Sequence, residues 1–306
     1  MLPLISPSSL MRNSLTIILI LCTLPSFAQN DLMDILDKET EKTTDYTVQT
    51  FKGTRLVNGQ TIETKGKNEL EFIFAHRFGP MSGGAYELFG LDQAYVRYGL
   101  EYGITNKLGV GIGRNSVDKT IDGYVRYKVL RQSKGESSVP VTVTFFGNAA
   151  YLASPKTSDA SYDIQPVDRM SYTGQLLIAR KFTSIFSLQL MPSMVHKNTV
   201  DKSIENNDTF LLGIGGRIKV SRSVAITSEY YHRFDVVETN PYYNPIGIGV
   251  DIETGGHVFQ LVLTNTRGLT ERAYLTETTG QVSNGDIHFG FNVTRTFQMK
   301  KKAEKS

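Results

Sequence analysis

The stretch Ile246 to Thr266, IGIGVDIETGGHVFQLVLTNT, decides how the chain folds, because it carries two alternating runs whose apolar phase reverses across Gly255-Gly256. Ile246, Ile248, Val250 and Ile252 share one parity, with Asp251 and Glu253 on the other. Successive side chains of a strand point to opposite faces, so this run has one apolar and one polar side. Beyond the glycines, His257, Phe259, Leu261 and Leu263 form the apolar set, and Gln260 and Thr264 the polar one. Two glycines supply the positive φ angles that a two-residue hairpin turn needs. The stretch therefore reads as two strands joined by a tight turn, each with a face suited to lipid.

The same alternation recurs toward the N-terminus, from Glu69 on. Leu70, Phe72 and Phe74 oppose Glu69, Glu71 and Arg77, and Ala94, Val96, Tyr98, Leu100 and Tyr102 oppose Arg97 and Glu101. Leu108, Val110 and Ile112 oppose Gly109, Gly111 and Gly113, glycines that leave room for bulky neighbours in a narrow interior. Ile121, Val125, Tyr127 and Val129 oppose Asp122, Arg126 and Lys128, and Val139, Val141, Val143 and Phe145 oppose Thr142 and Thr144. YTGQLLIAR and IFSLQLMPS turn around Thr183-Ser184; Phe210, Leu212, Ile214 and Ile218 oppose Arg217 and Lys219; VAITSEYYHRF directs Glu229 inward. On the C-terminal side, DIHFGFNVTRTF alternates Ile287, Phe289, Phe291, Val293 and Phe297 with Asp286, His288, Asn292 and Thr294.

Bacterial outer-membrane barrels have short periplasmic turns, longer outer loops and an even strand number. The short connections 104 to 107, 183 to 184 and 221 to 223 belong at one end, and the long ones, 79 to 93, 153 to 170, 197 to 208, 234 to 245 and 267 to 284, at the other. Placing Gly255, Gly256 and His257 at a periplasmic turn gives twelve strands counted from Glu69, with both chain ends in the periplasm. The expected fold is an all-β, antiparallel transmembrane outer-membrane β-barrel over residues 68 to 299, preceded by a short N-terminal periplasmic or plug segment, 29 to 67, and followed by a basic tail, 300 to 306. Tyr46 to Val57 alternates weakly and carries Lys52 and Arg55, so it fits either a wall strand or a plug, and the strand count favours the plug.

Residues 1 to 28 read as a signal peptide, with an apolar core from Leu15 to Leu24 after Arg12 and small residues at Ser26 and Ala28. Met1 and Met11 are both candidate starts. Export of this kind implies the outer membrane of a Gram-negative bacterium. The single cysteine, Cys22, lies in that signal, which leaves the mature chain without thiol chemistry. Losing residues 1 to 28 takes one basic residue, Arg12, from 33 and leaves 32 against 30 acidic residues, a balance that points away from nucleic acid. No segment after the signal reaches the roughly 18 consecutive apolar residues of a helical span.

The lumen-lining candidates are Arg97, Glu101, Arg126, Lys128, Arg217, Lys219, Glu229, Asp251, Glu253 and His288, a mixture of both signs. In a twelve-stranded barrel such groups either pair with each other and fill the interior or line a polar path that selects small polar or anionic solutes. The function this supports is a narrow polar conduit in a monomer whose partner is outer-membrane lipid. The alternative is a non-conducting scaffold that docks a periplasmic protein. A lipid hydrolase is a third class, but there is no GxSxG elbow, and Ser116-Val117-Asp118-Lys119 matches SxxK only within a short polar loop. His76, His196, His232, His257 and His288 lack metal-ligand spacing, so no catalytic residue, metal or cofactor is expected.

The strings YVRYGLEYGITNKLGVGIGR, VRYKVLRQS, LLIARKF, GVDIETGGHVFQL and GDIHFGFNVTRTF together resemble a bacterial family described as a membrane-bound β-barrel domain of unknown function (domain of unknown function 5777). The resemblance covers nearly the whole mature chain. It implies an outer-membrane barrel and brings no catalytic or ligand residues.

Overall fold

The computed structural model describes residues 43–154 and 165–299; the expected signal peptide, the start of the 29 to 67 segment and the basic tail lie outside the described residues. In chain order the strands are β1 (Thr44–Tyr46), β2 (Glu69–Pro80), β3 (Ala94–Gly103), β4 (Leu108–Asn115), β5 (Ile121–Leu130), β6 (Ser133–Gly135) and β7 (Thr142–Tyr151). They continue as β8 (Met170–Lys181), β9 (Phe186–Lys197), β10 (Asp208–Lys219), β11 (Val224–Arg233), β12 (Ile246–Thr254), β13 (His257–Thr264) and β14 (His288–Gln298). β1 and β6 pair as a small ribbon, and the other twelve form a closed antiparallel barrel in which each strand neighbours the next in sequence. Closure comes from β14 pairing back onto β2, Phe291 opposite His76 and Val293 opposite Phe74. On the outer surface of that seam the rings stack, Phe78 on Phe289 at 5.7 Å and His76 on Phe291 at 5.1 Å.

The barrel is inverted relative to a water-soluble protein. Arg77, Arg97 and Arg126 are at most 1% exposed, while Ile248 is 49% and Leu261 46% exposed. Only lipid outside makes that arrangement favourable, since an exposed apolar belt of this extent has no place in water. Among the described residues no helix is long and apolar enough to cross a membrane; the crossing is made by strands.

The Gly255-Gly256 stretch is two strands, as its reversed phase predicts. Thr254 pairs with His257, and the glycines have φ of 35° and 103°, so the turn uses the left-handed region open to glycine. The connections 104 to 107, 182 to 185, 220 to 223 and 255 to 256 share one end, called here the turn end; the opposite end is the loop end. The inward glycines of β4 do make room, because a Cβ on Gly111 would strike the Tyr124 ring and one on Gly113 the Arg97 guanidinium.

Two strand starts differ from the alternation. Val139 and Val141 precede β7; Val139 instead bridges to Ser133, because Pro140 between the two valines has no N–H to give a ladder. Asp286 and Ile287 precede β14, and the Asp286 carboxylate accepts from Ser82 Oγ and the Gln281 N–H in the loop-end connections.

Candidate functional site

The inward polar groups do not surround open space. Residues 54 to 61 form a hairpin inside the barrel, with Arg55 bridged to Gln60, Leu56 N–H donating to Gly59 O at 2.9 Å and Thr61 N–H to Thr54 O at 2.9 Å. A hairpin in a lumen has no neighbouring strand to satisfy its outer N–H and C=O groups, and each must find a partner. Side chains of the wall take that role. Glu229 accepts the N–H of Val57 at 3.2 Å, Asn58 at 2.8 Å and Gly59 at 3.0 Å, a carboxylate held by three successive amides at the tip. Gln260 donates to Arg55 O and Leu56 O at 3.1 and 2.9 Å, and Asn292 to Val57 O at 3.0 Å. Gln189 accepts from Ile62 N–H at 2.9 Å and donates to Gln60 O at 2.8 Å. Arg126 donates to Thr61 O at 2.6 Å, Glu63 O at 2.9 Å and Gln60 Oε1 at 2.6 Å.

The apolar tip residues sit where the wall lacks side chains. A Cβ on Gly215 would approach Leu56 Cδ1 to 2.5 Å, and one on Gly247 would approach Val57 Cγ1 to 2.7 Å. Both legs of the hairpin leave by the turn end: Thr47 N–H donates to Gln132 O, and Thr64 Oγ1 to Asn106 O at 3.2 Å. β1 lies on that approach, paired with β6.

The loop end is filled by the connection after β13. Helix α1 (Glu271–Thr276) is buried in the lumen, Tyr274 against Tyr231 at 5.9 Å, and Glu271 accepts from Gln60 Nε2 at 2.5 Å and lies 3.4 Å from Arg55 Nη1. The two inserts therefore touch. Above them Lys197 joins Glu205 at 2.6 Å and Glu277 at 2.9 Å, and Arg233 donates to Tyr242 O. On the rim, hydrogen bonds from the Ser203 hydroxyl and then its N–H hold the Asp201 carboxyl below its ordinary pKa.

Of the residues singled out by parity, Arg97, Glu101, Arg126, Arg217, Glu229, Asp251 and His288 are buried. Arg97 pairs with Asp122 at 2.5 Å; Glu101 lies 3.3 Å from Arg126 and accepts from the Tyr124 hydroxyl at 3.1 Å; Asp251 accepts from Gln260 at 2.8 Å. His288 Nδ1 is 2.8 Å from Phe78 O, a contact across the closing seam. Lys128, Lys219 and Glu253 are half-buried near the turn end, where Lys128 is 3.9 Å from Glu63 and Glu253 pairs with Lys52. Gly255 and Gly256 form the turn, and His257 stacks on Phe259 on the outer face at 5.9 Å, away from the lumen. The lumen candidates, chosen for charge, leave out Gln260 and Asn292, which the alternation puts on the polar parity, as well as Gln189 and Glu271, the last of which lies in a stretch read as an outer loop. In the SxxK string, Ser116 Oγ accepts the Val96 N–H at 2.9 Å. Among the described residues no three His, Cys, Asp or Glu side chains gather to hold a metal.

A family model described as "Membrane bound beta barrel domain (DUF5777)" matches residues 51–297. Among solved structures the chain is similar to the NanC porin, at a TM-score of 0.45 and 9% identity over 74% of this chain and 98% of that one. It is similar to the KdgM porin at 0.44 and 9%, over 75% and 99%. The COG4313 outer membrane channel from Pseudomonas putida F1 is similar at 0.44 and 10%, over 76% and 97%. No curated protein matches the chain.

Proposed function

Because the chain belongs to the membrane-bound β-barrel family whose model spans residues 51–297, we propose that it is a gated conduit for small polar solutes in the outer membrane, with the turn end in the periplasm and residues 50 to 62 as the gate. The supporting observation is the chemistry of the hairpin's seat. Glu229, Gln260, Asn292, Gln189 and Arg126 hold it by hydrogen bonds, contacts that water can replace one for one when the hairpin leaves. Withdrawal uncovers charges of both signs and amides, together with the apolar cluster that Phe51, Leu56 and Ile62 form with wall residues such as Phe146, Leu177 and Met191. The two legs share one mouth, so the hairpin can withdraw without threading chain through the wall.

Planar-bilayer recording tests the proposal. The full chain should be silent most of the time, with brief openings, and a variant lacking both residues 50 to 62 and the lumenal stretch 269 to 278 should conduct persistently. Silence from both would refute the conduit. It would favour a filled scaffold that presents the β1–β6 ribbon, with the exposed Tyr46 and Val48, to a periplasmic protein.

A further inference from the structure

At the turn end the two legs of the hairpin stand apart. Between the entering leg, Tyr46 to Thr50, and the leaving leg, Ile62 to Thr64, lies a cleft of about 640 Å³. Its other sides are the end of β5, Lys128 to Arg131, with Val139 and Thr142, and Asn106 and Lys107 of the first turn. That volume falls in the range of small-molecule sites, roughly 300–1,000 Å³. Val48, Ile62 and Val139 give the cleft an apolar portion, which an organic body can cover and a bare inorganic ion cannot.

The charges on this lining do not balance. Lys107, Lys128 and Arg131 are its cations and Glu63 its one carboxylate. Glu63 is already engaged, with Oε1 accepting the Phe51 N–H at 3.1 Å and Oε2 lying 3.9 Å from Lys128. Among the described residues no carboxylate comes within 4.0 Å of Lys107 or Arg131, and no side-chain hydrogen bond engages either. Arg131 lies over the Tyr46 ring at 4.8 Å, a contact that takes none of its N–H donors to an oxygen. Lys181 adds a further cation at the edge, where its Nζ donates to Val48 O at 2.9 Å. A cleft lined by an excess of one sign focuses its field on whatever enters, and the excess on this lining is two positive charges.

We propose that the cleft binds a small organic dianion, whose two charges match that excess and whose carbon body covers the apolar portion. The lining is assembled from both legs and the wall, so the ligand binds only while the hairpin is seated and stabilises that state. Binding is independent of conduction. Its consequence for openings, a gate held shut from the turn end, rests on the gate proposed above.

Calorimetry on the full chain in detergent at constant ionic strength tests the site. Succinate and glycerol 3-phosphate serve as dianions, and succinamide as an uncharged counterpart. Saturable binding of at least one dianion, and none of succinamide, is expected. Lys107→Gln combined with Arg131→Gln should weaken that binding about tenfold or more while heat-modifiable migration stays native. In the native chain the saturating dianion should slow hydrogen exchange at Val57, Asn58 and Gly59 severalfold, because the tip cannot leave while its legs are clamped. The proposal is overturned by no saturable binding of either dianion, by equal binding of succinamide, by undiminished affinity in the doubly substituted chain, or by unchanged exchange at the tip. Silence in the bilayer recordings would refute the conduit alone, since calorimetry and exchange read the site without current.

Discussion

The Glu229 carboxylate on β11 receives the backbone N–H of Asn58 at 2.8 Å, so one wall side chain grips the hairpin at its tip. Three amides converge on that carboxylate. Glu229→Ala leaves them buried without an acceptor and should weaken the seat by about 3 kcal/mol or more; Glu229→Gln, which keeps one acceptor oxygen, should cost about 1–3 kcal/mol. Hydrogen exchange at Val57, Asn58 and Gly59 should speed up in that order of severity while the β9–β10 ladder stays protected. Unchanged exchange at the tip would show that the grip is not what holds it.

Gly247 faces Val57 so closely that a methyl group has no room. Gly247→Ala should destabilise the filled barrel by about 1–3 kcal/mol through overpacking. Val57→Ala in the same chain should restore most of the loss, because it removes the atoms that collide. The heat-induced shift in gel migration reads both.

Arg126 donates to two hairpin acceptors, Thr61 O and Gln60 Oε1, and to Glu63 O just beyond, and also faces Glu101 at 3.3 Å. Arg126→Met strands a buried carboxylate and should cost about 3–5 kcal/mol. Adding Glu101→Gln should recover a substantial part, measured as the coupling in a double-mutant cycle of thermal midpoints. Strict additivity would mean that the two groups do not interact.

Asn58 Nδ2 donates to Thr264 Oγ1 at 3.0 Å, which brings hairpin and wall within reach of a short cross-link. A chain carrying Asn58→Cys and Thr264→Cys, oxidised or bridged by a short bifunctional reagent, should lose its openings in a bilayer and regain them on reduction of the disulfide. Openings that persist in the fully cross-linked protein would rule out hairpin withdrawal as the gate.

The wall was readable because its physics is periodic. Each strand needs an apolar parity for lipid and a polar parity for the interior, and a run such as Ile246 to Ile252 shows both within seven residues. The filling was not readable to the same depth, because it has no period. Residues 54 to 61 satisfy their backbone with Gln189, Gln260 and Asn292, contacts between positions far apart in sequence that no local pattern marks. Glu271 looked like a loop residue because its run is short and polar, yet it is fully buried once Arg55 and Gln60 face it. Inward parity picks out polar side chains of the wall strands, and only the fold shows which partner each one meets.

The shared exit of the hairpin's two legs bears on how the molecule is assembled. A loop that enters and leaves by one mouth can be inserted after the wall has sealed, so strand pairing and filling are separable kinetic events. The first is driven by backbone pairing in lipid; the second is a docking in water that joins ionic and hydrogen-bonded contacts to an apolar cluster at Phe51, Leu56 and Ile62, and its ionic part is sensitive to ionic strength in a way that the first is not. A newly inserted barrel would then pass through an interval in which its interior is still hydrated, and the length of that interval is set by the docking of the hairpin and of the β13–β14 insert that it meets.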